Sequence, residues 1–122
     1  MNVNQKGVSG LIKVIDDLQE KGLYTFPAFD DHSPVDIIAL TNEGETLKIQ
    51  IKYRESDYEL RTSSVVNGKR VEIDRNMIDG WAIYLANEKK VVYIHKSDME
   101  GKKSLLVNSE KDYGDIGEWA GR

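Results

Sequence analysis

The run Thr46-Leu47-Lys48-Ile49-Gln50-Ile51-Lys52-Tyr53 alternates polar and apolar side chains without a break. A period of two is that of a β-strand with one buried face, and a helix cannot gather such a pattern onto one side. Shortly before it, Val35-Asp36-Ile37-Ile38-Ala39-Leu40 is apolar at every position but one, as in a strand covered on both faces. Thr41-Asn42-Glu43-Gly44-Glu45 joins the two with turn-forming residues, so together they read as an antiparallel hairpin. Pairing Leu40 with Thr46 sets Asp36 opposite Gln50, with Lys52 on the same face two residues further on. The lone charge of the apolar strand therefore meets the far end of the alternating one. A slip of one residue would separate them.

The remaining segments build a sheet and one helix around this hairpin. Val8, Leu11, Ile12, Ile15 and Leu18 recur at helical spacing, predicting an amphipathic helix over about residues 5–21 with Asn4 as its N-cap and Gly22 as its stop. Leu23-Tyr24-Thr25-Phe26 reads as a short strand ending at Pro27, and Asp30-Asp31-His32-Ser33-Pro34 as a turn-rich loop. Asn67-Gly68 is a type I′ turn signal for a second, more polar hairpin within the otherwise hard-to-read stretch 55–79. Residues 81–86 and 91–95 predict two further core strands, with Trp81, Tyr84 and Tyr93 as core aromatics. A helical turn at 97–100 and a short strand at 105–107 follow, and the tail has no period. With no linker or repeat, residues 1–122 are expected to form one α/β domain, a central mixed β-sheet flanked by the first helix. At 122 residues and 39% apolar positions, such a chain closes one core without staples.

Composition narrows the chemistry. The chain has no cysteine, which removes disulfides, thiolate zinc sites, iron–sulfur clusters and cysteine nucleophiles together and fits a reducing compartment. No apolar run approaches the roughly 18 residues that span a bilayer, and Met1-Asn2-Val3-Asn4-Gln5-Lys6 carries no hydrophobic signal core. A soluble, cytoplasmic protein with no membrane partner is the expectation. The formal charge of −4, from 17 basic and 21 acidic side chains, argues against a general nucleic-acid coat protein. Residues 48–75 nevertheless hold seven basic and five acidic side chains, so any contact with DNA is local. Arg54, Arg61, Lys69 and Arg70 are candidates for DNA backbone contacts, with Tyr53 and Tyr58 available to stack.

Asp36, Gln50 and Lys52 together fit hydrolysis of a phosphodiester assisted by a hard divalent ion. Asp36 offers a carboxylate oxygen, Gln50 an amide oxygen and Ile51 a backbone carbonyl as metal ligands. Lys52 would position or deprotonate a water and stabilise charge developing on the phosphate. Structural roles produce the same letters: Asp36 as a turn-bonding residue after Pro34 or a partner of Lys52, and Gln50 and Lys52 as a solvated strand face. His95 ends an apolar strand and reads as a packed or exposed end residue. His32 reads either as an exposed loop residue or as part of the same cleft.

Pro34-Val35-Asp36, fourteen residues ahead of Gln50-Ile51-Lys52, resembles the signature of the PD-(D/E)XK nucleases, in which an Asp opens one core strand and an acid-x-Lys triplet lies on the next. The Gln variant, the helix opened by Lys6-Gly7, and Ile78-Asp79-Gly80-Trp81-Ala82-Ile83-Tyr84 followed by Val92-Tyr93-Ile94 are similar to the group I intron-associated, or homing, endonuclease branch. Archaeal Holliday junction resolvases share the same helix–strand–hairpin order. The resemblance covers about residues 5–95. It implies a restriction-endonuclease-like fold and a DNA endonuclease using magnesium or manganese, with Asp36, Gln50 and Lys52 catalytic. Cutting two strands symmetrically then implies a homodimer or higher homo-oligomer. One departure stands out: the family usually carries a Glu on its first helix shortly after Lys-Gly, whereas Val8-Ser9-Gly10 has no acid. Asp30 or Asp31 would have to compensate. The alternatives are a catalytically inactive nuclease-like domain that binds DNA or protein, and an unrelated small α/β interaction protein.

Overall fold

The computed structural model describes residues 1–30, 32–61, 63–72 and 76–122, with 63–66 and 70–72 as backbone alone. Its elements in chain order are helix α1 (Val3–Glu20) and strands β1 (Tyr24–Pro27), β2 (Ile37–Leu40), β3 (Thr46–Arg54), β4 (Tyr58–Arg61), β5 (Ser63–Val66), β6 (Lys69–Glu72), β7 (Gly80–Leu85), β8 (Lys90–His95) and β9 (Ser104–Val107). Short 3₁₀ turns occupy Lys96–Met99 and Ile116–Glu118. No described helix is long and apolar enough to cross a membrane.

Helix α1 begins two residues before the expected start, because Asn2 rather than Asn4 caps it. The Asn2 side chain accepts from the Gln5 backbone N–H at 2.8 Å and Gln5 Oε1 accepts from the Asn2 N–H at 2.9 Å. This reciprocal pair satisfies two otherwise orphaned donors. The helix ends as expected at Gly22, whose φ of +83° is open to glycine at little cost.

Five strands form one sheet in the order β1-β2-β3-β7-β8, with β3 parallel to β7 and the other pairs antiparallel. The sheet is therefore mixed, as expected. The β2–β3 register pairs Leu40 with Thr46 and Ile37 with Ile49, and one step beyond, the Asp36 N–H donates to the Ile49 carbonyl at 2.9 Å. Asp36 and Ile37 thus both face Ile49, a bulge that ends the ladder before the expected pairing of Asp36 with Gln50 can form. The Asn67-Gly68 hairpin also forms: β5 pairs with β6, and φ of +52° and +77° at its two central residues are those of a type I′ turn.

The two faces of the sheet carry two cores. Val14 and Leu18 of α1 pack with Ile37, Ala39, Leu47, Ile49, Ala82 and Tyr93 on one face. On the other, Trp81, Ile83 and Leu85 pack with Val92 and Ile94 beneath Leu60, Met99 and Val107. The last cluster exists because β4 pairs with β9 as a separate ribbon. β4 has no readable period, since only Leu60 of its four residues is buried. With a layer on each side, β7 is buried at all six positions. Asp79 fixes its entry: its N–H donates to the Lys48 carbonyl at 2.8 Å, and its Oδ2 accepts from the Lys48 N–H at 2.7 Å.

His95 is packed rather than exposed, at 4% accessibility. Its Nδ1 accepts from the Ser97 N–H at 3.1 Å and so caps the first 3₁₀ turn, while the ring meets Trp119 edge-on. Burial, helped by the nearby Arg122, lowers its pKa below the usual 6.5, although Asp79 and Asp98 pull the other way. The neutral ring is thus the folded form. Its stabilising contribution is complete above about pH 6.5 and is lost as pH falls through the lower folded value. The melting temperature should fall between pH 7 and pH 5, and His95→Asn, which keeps an acceptor but does not titrate, should flatten that fall. An unchanged slope would exclude His95 as the group responsible.

Candidate active site

The site is built at the point where β2 stops and β3 continues. Asp36 Oδ2 accepts a hydrogen bond from the Ile51 N–H at 2.7 Å, so the side chain takes over the place of the next backbone acceptor. Residues Lys48 and Arg54 of β3 turn their carbonyls to β7, accepting from Asp79 and Ala86, whereas Ile49 turns its carbonyl to β2. Because a strand residue points its N–H and C=O to the same side, the Ile51 carbonyl faces the Asp36 side, past the end of β2. The second carboxylate oxygen of Asp36 and this carbonyl therefore share one edge of the strand.

That edge opens into a cavity of about 280 Å³ lined by Gly7, Leu11, Ala28, Asp30, Asp36, Ile51 and Tyr53. Burial raises the Asp36 pKa above the usual 3.8, and the Ile51 N–H and the charge of Lys52 only partly offset this. A carboxylate whose charged form is short of compensation is a natural acceptor for a cation. Asp30 lines the same cavity, although its Oδ1 also accepts from the His32 N–H at 2.9 Å. His32 itself projects into solvent, with its side chain 96% exposed. Asp31 lies outside the described residues.

Lys52 lines an adjoining cavity of about 550 Å³ that shares Gly7, Ile51 and Tyr53 with the first. Among the described residues it has no carboxylate within ion-pair distance. Gln50 is held differently: its Oε1 accepts from the Trp81 indole N–H at 3.0 Å. One lone pair of that oxygen is thus engaged, leaving a second for a ligand. The structure brings Asp36, Ile51 and Asp30 into one cavity and puts Lys52 next door, while Gln50 lines neither. Among the described residues no three His, Cys, Asp or Glu side chains gather as a metal cage.

Of the candidate DNA contacts, Arg54 is beside the site, its guanidinium 4.1 Å over the Tyr58 ring and its Nη1 donating to the Tyr53 carbonyl at 2.6 Å. Arg61 lies on β4 and meets Glu59 at 3.4 Å. Lys69 opens β6 and is exposed. The Arg70 side chain lies outside what is described. Sequence reasoning missed Lys6 and Glu55, which line the Lys52 cavity and pair at 3.0 Å. Lys6 had a signal in Lys6-Gly7 at the helix start; Glu55 had none.

No model of a known family matches the chain, and no curated protein matches it. Among solved structures it is similar to a bacterial homing endonuclease, I-Ssp6803I, with a TM-score of 0.74 over 97% of this chain and 87% of that one, at 14% identity. A likeness at that identity speaks for the fold.

Proposed function

We propose that this chain is a metal-dependent DNA endonuclease of the PD-(D/E)XK type, acting as a homodimer or higher homo-oligomer. The observation that carries the reading is the Asp36–Ile51 contact. It orients one carboxylate and one carbonyl toward a common cavity, with Lys52 next along the strand, in a fold shared with a homing endonuclease. Asp36 and the Ile51 carbonyl would hold magnesium or manganese, and Asp30 adds a second carboxylate to the cavity; Gln50, bonded to Trp81 outside that cavity, is left out of this ligand set. An all-oxygen donor set with one or two carboxylates suits such an ion, whose shell water and substrate phosphate complete. When bound, the ion polarises the scissile phosphate and lowers the pKa of the attacking water.

The protein's own residues do the rest. The Ile51 N–H fixes the Asp36 carboxylate before substrate arrives. Lys52 places a positive charge where the phosphate gains negative charge. Arg54, Arg61, Lys69 and Arg70 contact the DNA backbone. The test is a supercoiled plasmid incubated with protein and magnesium. Wild type should nick or linearise it, EDTA should stop the reaction, and Asp36→Asn should slow it by about a hundred-fold or more. Asn retains an acceptor for the Ile51 N–H, so a loss of activity with unchanged melting would point to the lost charge.

A second reading, an inactive nuclease-like domain that binds DNA, has one observation in its favour. Gly7 and Leu11, not an acid, line the helix side of the Asp36 cavity. Steeply salt-dependent DNA binding by wild type without cleavage in magnesium or manganese would select it.

A further inference from the structure

We propose that the cavity beside Lys52 is a seat for a second phosphate of the bound DNA strand, gripped by Lys6 and Arg54, and that Glu55 occupies Lys6 until DNA displaces it. The proposal rests on the endonuclease reading and adds to it Lys6 and Glu55, which that reading does not use. Lys6, Lys52 and Arg54 all line the cavity, against one acid, Glu55. Arg54 is already immobilised by Tyr58 and the Tyr53 carbonyl, and its fork has further N–H donors to offer. Lys6 is held by Glu55 at 3.0 Å, and both side chains are substantially exposed, at 39% and 56%. Ion pairs that exposed are weak and easily exchanged for another anion. A Cβ built on Gly7 would meet nothing within 4 Å, so the rim between the two cavities is open to a passing nucleic-acid backbone. The helix end is not the anion donor here, because Asn2 already caps it.

Glu55 therefore acts as an internal stand-in for phosphate. Its removal leaves Lys6 free to take the phosphate without first breaking an ion pair.

The experiment is fluorescence anisotropy of a labelled random-sequence duplex, with calcium replacing magnesium to prevent cutting. Wild type, Glu55→Gln, Lys6→Ala and the double variant are compared across a salt series. Glu55→Gln should bind about five-fold more tightly with a log–log salt slope close to that of wild type, and Lys6→Ala should show a slope shallower by about 0.9. The double variant should show no such gain over Lys6→Ala. A Glu55→Gln affinity equal to or below wild type, or a gain that survives in the Lys6→Ala background, would overturn the seat and its gate while leaving the endonuclease reading intact. Absence of DNA binding by every variant, wild type included, would instead overturn the endonuclease reading and the seat with it.

Discussion

Replacing Lys52 by alanine is expected to lower plasmid cleavage by about a thousand-fold while leaving the melting temperature nearly unchanged. The side chain lines a cavity, has no carboxylate within ion-pair distance among the described residues, and belongs to neither buried core, so its removal opens no packed space. Its charge nevertheless reaches the Asp36 carboxylate and would act on a phosphate held there. Two mechanisms for Lys52 separate in Lys52→Arg. Arginine keeps the positive charge but cannot accept a proton near neutral pH. Recovery of part of the rate would assign an electrostatic role, and no recovery a role in proton transfer or in geometry that only the ammonium meets. Full cleavage by Lys52→Ala would refute the site assignment.

The largest effect on stability is expected at Gly80. A Cβ there would lie 2.3 Å from the Ile94 carbonyl oxygen and 2.6 Å from the Trp119 ring, both well inside contact distance. Gly80 is paired with His95 in the ladder and with Ile49 across β3, so the backbone has little room to retreat. Trp119 is pressed against Tyr93 and His95 from its other sides. Gly80→Ala should destabilise the fold by about 3 kcal/mol or more, read as a fall in melting temperature of roughly 12 °C by circular dichroism. Adding Trp119→Ala should relieve the ring clash but not the carbonyl one. The double variant should then be more stable than the sum of the two single losses allows. An unchanged melting temperature for Gly80→Ala would mean that neither the Ile94 carbonyl nor Trp119 closes on Gly80 in this way.

How far the sequence could be read depended on how local each determinant was. The helix, the β2–β3 register and the Asn67-Gly68 turn were all legible because neighbouring residues decide them: a hydrophobic period, a turn length, two residues able to take positive φ. The register sets Leu40 across from Thr46 and Ile37 across from Ile49, but the bulge at Asp36, which brings its carboxylate to the Ile51 N–H, has no sequence signal. What could not be read were contacts between distant parts of the chain. β4 finds β9, Gln50 is tied to Trp81, and Lys6 meets Glu55 only after the sheet has assembled. The cap at Asn2 was missed for a different reason. Asn2 and Asn4 are equally good caps by type, and Gln5 completes the box with only one of them.

The parallel pairing of β3 with β7 obliges the chain to travel from one end of the sheet to the other between them, a crossing usually made by a helix. Here residues 55–79 make it, carrying β4, β5 and β6. Both margins of that journey are clamped by backbone bonds, Asp79 to Lys48 at one and Ala86 to Arg54 at the other. Doubling the length of such a connection costs only about 0.6 kcal/mol in closure entropy. The residues assigned to chemistry, Asp36 to Lys52, are all spent before it begins. Under the endonuclease reading proposed above, parts of this segment away from Tyr58, Leu60 and Ile78 can be lengthened, and the DNA contacts they carry varied, at little cost to the Asp36–Lys52 hairpin.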